Sequence, residues 1–503
     1  MGQSTTEQRA RHRVTFAVLA LGVAAFALLQ SLVNPVLPTI QEELQSSQTD
    51  VTWVLTANLI AASVFTPILG RLGDMTGKKR MFVVGLGAMA LGCLLSAVAT
   101  NLTVMIIGRV VQGVGGGVLP LAFGMIRDEF SQREVPGAVG AIAGLTAVGG
   151  GAGLMLAGPI VDAFGYHWLF WLPLIVTVLS ALAAQFLVPE SRELSAGSIN
   201  WLSAALLSAW LVGLLLAVSQ APTWGWGSPS VLALLAAAVV LAGVWVVAES
   251  RAEHPLIDMT MMRIRSVWAT NLVTLLFGAA LYSALGFLPQ LLQAPPTAGY
   301  GLGASVTESG LMMLPQTVAL FVLGLVAGRL ARRFGSKNLV VVGSLVSAVG
   351  FLLVALAHDS EWAIYLITAV NGAGFGLAFS AVANLVVAAV PAHQTGVASG
   401  INTNVRTVGG AVGAAVMASI VTAGAAPGGS PGGSGYTTGF LVLTGVLVLS
   451  ALAALLIPEV RRDPHTHIGP DAEMRHPEVA LVPGGTLVEG KSGWPPLGRR
   501  NGP

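Results

Sequence analysis

One stretch of this chain has the makings of a switch. In Gly70-Arg-Leu-Gly-Asp-Met-Thr-Gly-Lys-Lys-Arg80 a lone carboxylate, Asp74, stands beside Lys78, Lys79 and Arg80, and Gly70 and Gly77 permit a tight reversal and close helix approach. Such a set reads as an ion pair that can be made and broken. Two more cations, Arg109 and Arg406, sit inside long apolar runs, where a charge costs about 3 kcal/mol unless it is paired or wet. Arg109 shares a helical face with Gln112, and Arg406 shares one with Asn402 and Ser399, so both are expected to face an aqueous cavity. A structural arginine bonded to carbonyls is the alternative for Arg109, and a helix-bonding group for Arg406. Phe26, Gln30 and Asn34 recur every four residues as one amphipathic stripe. Asn58, Asn271, Gln316, Asn371 and Asn384 add single polar groups in other runs, either lining the same mostly apolar cavity or holding helices together, and Tyr282 adds an aromatic wall. No acid occupies the middle of an apolar run, which leaves Asp162, His167 and Glu308, near run ends, as titratable candidates for proton coupling. No His, Asp and Glu cluster marks a catalytic or metal site and no G-x-x-x-x-G-K-[ST] loop marks ATP use, so neither an enzyme nor a cofactor is expected.

The elements that must position these residues are membrane helices. Of 503 residues, 54% are hydrophobic and 10% charged, against about a quarter charged in soluble proteins. Apolar blocks of about 20 residues match the length of helix that crosses a bilayer. They predict spans near 14–36, 51–70, 81–99, 104–126, 137–161, 168–187, 201–219, 230–248, 267–292, 310–328, 338–357, 362–386, 396–424 and 438–457. The 62 glycines lie mostly inside these blocks, where small residues let helices pack closely. The first run is too long for a signal peptide and reads as a retained span. Apart from Arg109 and Arg406, all of the 25 Lys and Arg residues fall in one alternate set of loops and tails, which places both termini in the cytoplasm. The single cysteine, Cys93, lies within an apolar block and reads as a small core residue. The stretch after Pro458 is rich in Pro, Gly, His and charge and is expected to be disordered.

The chain repeats itself. Gly70–Arg80 aligns without a gap with Gly-Arg-Leu-Ala-Arg-Arg-Phe-Gly-Ser-Lys-Asn, Gly328–Asn338, and Gln112-Gly-Val-Gly-Gly-Gly117 aligns with Asn371-Gly-Ala-Gly-Phe-Gly376. Two six-span halves related by parallel duplication mark one large transporter class. With the Gly70–Arg80 loop, Arg109-Val-Val-Gln-Gly-Val-Gly, the glycine-rich run Gly149–Pro159, Thr223–Pro229 and Gly396–Val416 in that order, the chain resembles the major facilitator superfamily, specifically its fourteen-span drug/proton antiporters.

That resemblance implies an all-α major facilitator fold with 14 spans arranged 6+2+6: residues 1–13 a cytoplasmic N-terminus, 14–188 the first half, 189–266 a two-helix insertion, 267–457 the second half and 458–503 the tail. It implies a latch at Gly70, Asp74, Gly77, Lys78, Lys79 and Arg80 that holds the outward-open state. Because Arg332 replaces Asp74 in the second copy, the latch should be one-sided. Coupling or cavity charges are expected at Arg109, Arg406, Asp162 and Glu308 from the residues themselves, and the resemblance implies antiporter packing at Gly149, Gly153, Gly158 and Pro159. The expected function is export of small amphipathic or hydrophobic compounds by proton antiport. The expected partners are such compounds, protons and the lipid bilayer of an inner membrane; no nucleic acid is expected, and the working unit is a monomer. Alternatives are a dedicated exporter or importer of one metabolite or self-made antibiotic, and a transport-dead sensor. Two departures stand out: Leu29 occupies the place where these antiporters carry a first-span aspartate, and Asp162-Ala163 replaces a Gly-Gly pair.

Overall fold

The computed structural model describes residues 2–190, 194, 199–253, 255–296, 300–357, 360–423 and 433–458, without the side chains of 2–10, 34, 38, 48, 49, 147, 154 and 306. The tail beyond Pro458, Arg192 and most of the Gly/Ser/Pro loop before the last span lie outside the described residues, as does the side chain of Asn34.

Fourteen described helices are long and apolar enough to cross a membrane. They are α1 (Gly2–Leu32), α2 (Trp53–Thr76), α3 (Lys78–Ala97), α4 (Leu102–Glu129), α5 (Val135–Phe164), α6 (Trp168–Leu187), α7 (Trp201–Trp224), α8 (Pro229–Arg251), α9 (Arg265–Gln293), α10 (Thr307–Phe334), α11 (Ser336–Leu356), α12 (Glu361–Ala389), α13 (Thr395–Thr422) and α14 (Gly433–Leu455). Side-chain caps set several starts: Asn101 accepts from the Val104 N–H, Asn200 from Ser203 and Ser228 from Val231. Gly77 and Gly335, equivalent positions of the two loop copies, end α2 and α10 at φ of +115° and +83°, where a side chain would be strained. In α4 the run Val114–Gly117 tightens to a 3-10 turn between two α-helical pieces.

The repeat seen in the sequence recurs in the packing. Gly92 of α3 lies against Gln112 of α4, and Gly350 of α11 lies against Asn371 of α12, each pair displaced by 258 or 259 positions from the other. The inserted pair α7 and α8 stays with the bundle: Ala204, Leu207 and Leu211 of α7 pack with Ile68 of α2 and with Val397 and Ile401 of α13, covering the seam between these two helices. Within the turn that joins α7 to α8, Trp226 Nε1 donates to Ser419 Oγ at 2.7 Å.

Candidate functional site: a clasp beneath a pocket

The hydrogen bonds that join the two halves cluster at the end of the bundle that carries the basic loops. There α2 and α13 cross backbone to backbone: a Cβ on Gly70 would lie 2.6 Å from the Gly396 carbonyl oxygen. One turn further along α2, the fully buried Asp74 accepts the N–H groups of Gly396 and Val397 at 3.1 and 2.9 Å. The carboxylate thus closes the first turn of α13, where unpaired N–H groups and the helix dipole favour negative charge. Lys78, also fully buried, holds Asp74 at 3.6 Å and Asp128 at 2.8 Å. Arg127 of α4 donates to the Val387 carbonyl and, at 3.0 Å, to Thr395 Oγ1.

The second loop copy makes its own clasp, which corrects the one-sided expectation. Gly328 meets Gly137, the positions equivalent to Gly70 and Gly396, and Arg332 donates to the Arg133 carbonyl at 3.1 Å. Asn384 adds a bond to the Pro136 carbonyl at 3.2 Å. An acid on a helix N-terminus in one copy is matched by a cation on a carbonyl in the other. A further correction concerns Lys79 and Arg80. Arg80 is exposed, and neither side chain makes an ion pair among the described residues; the Lys79 backbone N–H donates to Glu190 at 3.1 Å.

Directly behind the clasp lies a narrow cleft between the halves with ≈ 10 Å³ of free space, room for about one water. Phe123 of α4, one turn before Arg127, contributes from the first half; Phe379, Val382 and Val386 of α12 and Ser399, Asn402, Thr403 and Arg406 of α13 contribute from the second. Arg406 is buried and its guanidinium lies 4.6 Å from the centre of the Phe379 ring. Asn402 donates to Asn271 at 2.9 Å and to Thr274 at 2.8 Å, which fixes α13 on α9. Tyr282 lies over Gly410, one turn beyond Arg406, and is exposed.

Several expected cavity residues sit elsewhere. Arg109 is wholly buried inside the first half, donating from Nε to the Val54 carbonyl at 2.9 Å and from Nη1 to Gln112, which in turn donates to Ser96 at 3.0 Å. The carbonyl-bonded alternative describes it, not a place on the cleft. The equivalent residue in the second half, Thr368, bonds the equivalent carbonyl, Met312, at 2.9 Å. A threonine is too short to reach Asn371 as Arg109 reaches Gln112, and both amide atoms of Asn371 are left buried without a partner. Gln316 is buried with Oε1 unpartnered, its backbone pressed on Gly372 within the second half. Asn58 donates to Gln30, tying α2 to α1, and Phe26 packs on the core.

Gly149 and Gly153 pack against Ala27 and Ser31 of α1, inside the first half; it is Gly140, Gly144 and Gly151 of the same helix that face Gly324 and Thr317 of α10 across the interface. Gly158 meets open space and Pro159 is exposed. Asp162 and Glu308 are exposed at the end opposite the clasp, and Glu308 completes a capping box with Ser305, so neither is an interior charge. The sequence reading missed Phe123, Phe379, Arg127, Asp128 and the facing glycines of α5 and α10. The repeat itself held the signal for Gly137 and Gly396, which stand 259 positions apart.

A bundle of fourteen helices whose duplicated halves close at one end beneath a cleft has the architecture of the duplicated class of secondary transporters. The chain matches the Major Facilitator Superfamily over residues 19–414 and again over 272–497, and it belongs to that family as a multi-pass membrane protein. It is 29% identical over 401 residues to an uncharacterized MFS-type transporter of Mycobacterium tuberculosis (strain H37Rv), with 77% of this chain aligned but only 56% of that relative, so it spans little more than half of that protein's length. It is 30% identical to the multidrug transporter protein MdtP of Bacillus subtilis over 72% of this chain and 67% of the relative. The fold is shared with the human organic anion transporter MFSD10, with a TM-score of 0.66 and 17% identity over 88% of this chain and 99% of the other.

Proposed function

We propose that this protein exports small amphipathic or hydrophobic compounds across an inner membrane by alternating access, with both termini in the cytoplasm and the proton gradient as the driving force. The observation that carries the reading is the clasp: Asp74 on the α13 N-terminus and Arg127 on Val387 and Thr395 close the basic end immediately behind the cleft. In an export cycle, a cleft closed on the side rich in basic residues, the cytoplasmic side by the charge rule, is the release half. Rocking one half on the other would break these few bonds and open the same cleft to the cytoplasm, where substrate is taken up. The likeness to a multidrug transporter supports small drug-like compounds as the cargo. For proton antiport, Asp74 and Asp128 are the described carboxylates that are both buried and at the interface between the halves, and they share Lys78. Whole-cell efflux of chemically unrelated dyes tests how broad the substrate range is. Export of several scaffolds supports the reading, and movement of one scaffold alone would point to a dedicated exporter.

A further inference from the structure

Arg406 is a cation without an answer. The other buried cations of the bundle are satisfied: Lys78 holds two carboxylates, and Arg109 holds a carbonyl and an amide oxygen. The Arg406 side chain makes no hydrogen bond and no ion pair among the described residues, although it is only 8% exposed and carries five N–H donors. Its one partner there is the face of Phe379, which attracts the charge but accepts none of the in-plane N–H groups.

Among the described residues, no internal counterion is in reach. Arg406 is the only charged residue of α13, and α9, packed beside it, carries only Arg265 at its far start. On α12 the only charge is Glu361, at the first turn. On α2 the acid is Asp74, committed to Gly396 and Val397 about 15 Å from Arg406 along the α13 axis. On α4, Asp128 is held by Lys78, and Glu129, at the helix end, by Arg11.

The cleft around this cation has two unlike walls. Ser399, Asn402, Thr403 and Arg406 follow one another at helical spacing along α13, and the Ser399 hydroxyl is buried without a partner. Facing them are Phe123, Phe379 and valines of α12. A guanidinium fork matches a planar carboxylate or another delocalised oxyanion in two parallel bonds. The aromatic and aliphatic wall matches a flat apolar body.

We infer that the compounds handled by this protein carry an anionic group on an aromatic or otherwise apolar body, and that Arg406 holds that group in the cleft between the halves. The inference rests on the reading of the cleft as the transport site and names the substrate class for it.

The test is ligand binding by the purified full chain, measured by thermal stabilisation and by calorimetry. The probes are a panel of aromatic carboxylates and sulfonates such as 2-naphthoate, each paired with its neutral amide and with a cationic amine of the same ring. At least one anion is expected to bind ten-fold or more tightly than its neutral and cationic partners. Arg406→Gln is expected to erase that preference, and Arg406→Lys to keep part of it. Far-UV circular dichroism and size-exclusion profiles identical to those of the original chain show that both variants are folded. If no anion in the panel outbinds its neutral partner, absence of binding included, or if folded Arg406→Gln keeps the preference, the inference is overturned. Failure of export itself reads differently: an anion that binds through Arg406 but is never moved in liposomes contradicts the exporter reading and leaves the anion site standing.

Discussion

Replacing Asp74 by Asn tests the clasp at its strongest bond. The carboxylate accepts two N–H groups from the first turn of α13, at 3.1 and 2.9 Å, and a hydrogen bond to a charged group is worth about 1.5–3 kcal/mol. An asparagine offers one neutral oxygen in their place and turns its own NH2 toward the second N–H. Lys78 is not orphaned, because Asp128 remains at 2.8 Å, so the cost falls mainly on the state closed at the basic end. The loss from that state is about 2–4 kcal/mol, a shift of roughly 30- to 700-fold toward opening. The assay uses Ser399→Cys, on the cleft wall, in a Cys93→Ser background that removes the only native thiol. An impermeant maleimide added to inside-out vesicles should label the Asp74→Asn protein at least ten times faster than its parent, and label right-side-out vesicles more slowly. Equal labelling rates from both faces in the two proteins would refute the idea that this carboxylate sets which end is closed.

Gly70→Val, which must thrust a side chain into the Gly396 carbonyl 2.6 Å from its Cβ, should force the basic end apart and give the same labelling pattern as Asp74→Asn. Gln112→Leu should lower thermal stability by about 2 kcal/mol because it strips Arg109 of one of its two acceptors, whereas Asn371→Leu at the equivalent site should be neutral or stabilising, since neither amide atom is bonded. Thermal unfolding in detergent compares the two. Asp162→Asn and Glu308→Gln should both leave pH-driven efflux intact, Glu308→Gln costing at most about 1 kcal/mol of stability through its cap, and loss of coupling in either would return these positions to the proton path.

Span number and repeat were legible because both depend on long-range averages: apolar length, basic loops on alternate sides, and motifs recurring at a fixed distance. The loop glycines and Asp74 were legible for the same reason, as an odd acid in a duplicated basic motif. What escaped was which neighbour each polar residue would meet. Gln112 and Asn371 look alike in sequence, yet one is bonded and the other bare, because their partners, Arg109 and Thr368, differ in reach. The fifth span offered glycines on two faces, and the sequence does not say that Gly149 and Gly153 turn to α1 while Gly140 and Gly144 turn to the other half. Arg109 and Arg406 likewise read as equals, and only packing separates a cation tied to a carbonyl from one left facing the cleft.

The central claim, export by a cleft that opens alternately to the two sides, is tested most directly by the purified chain in inside-out proteoliposomes with an acidic lumen. Amphipathic compounds added outside should accumulate in the lumen above their outside concentration, and a protonophore should abolish the accumulation. Compounds that bind the protein but never rise above equilibrium in the lumen would contradict it.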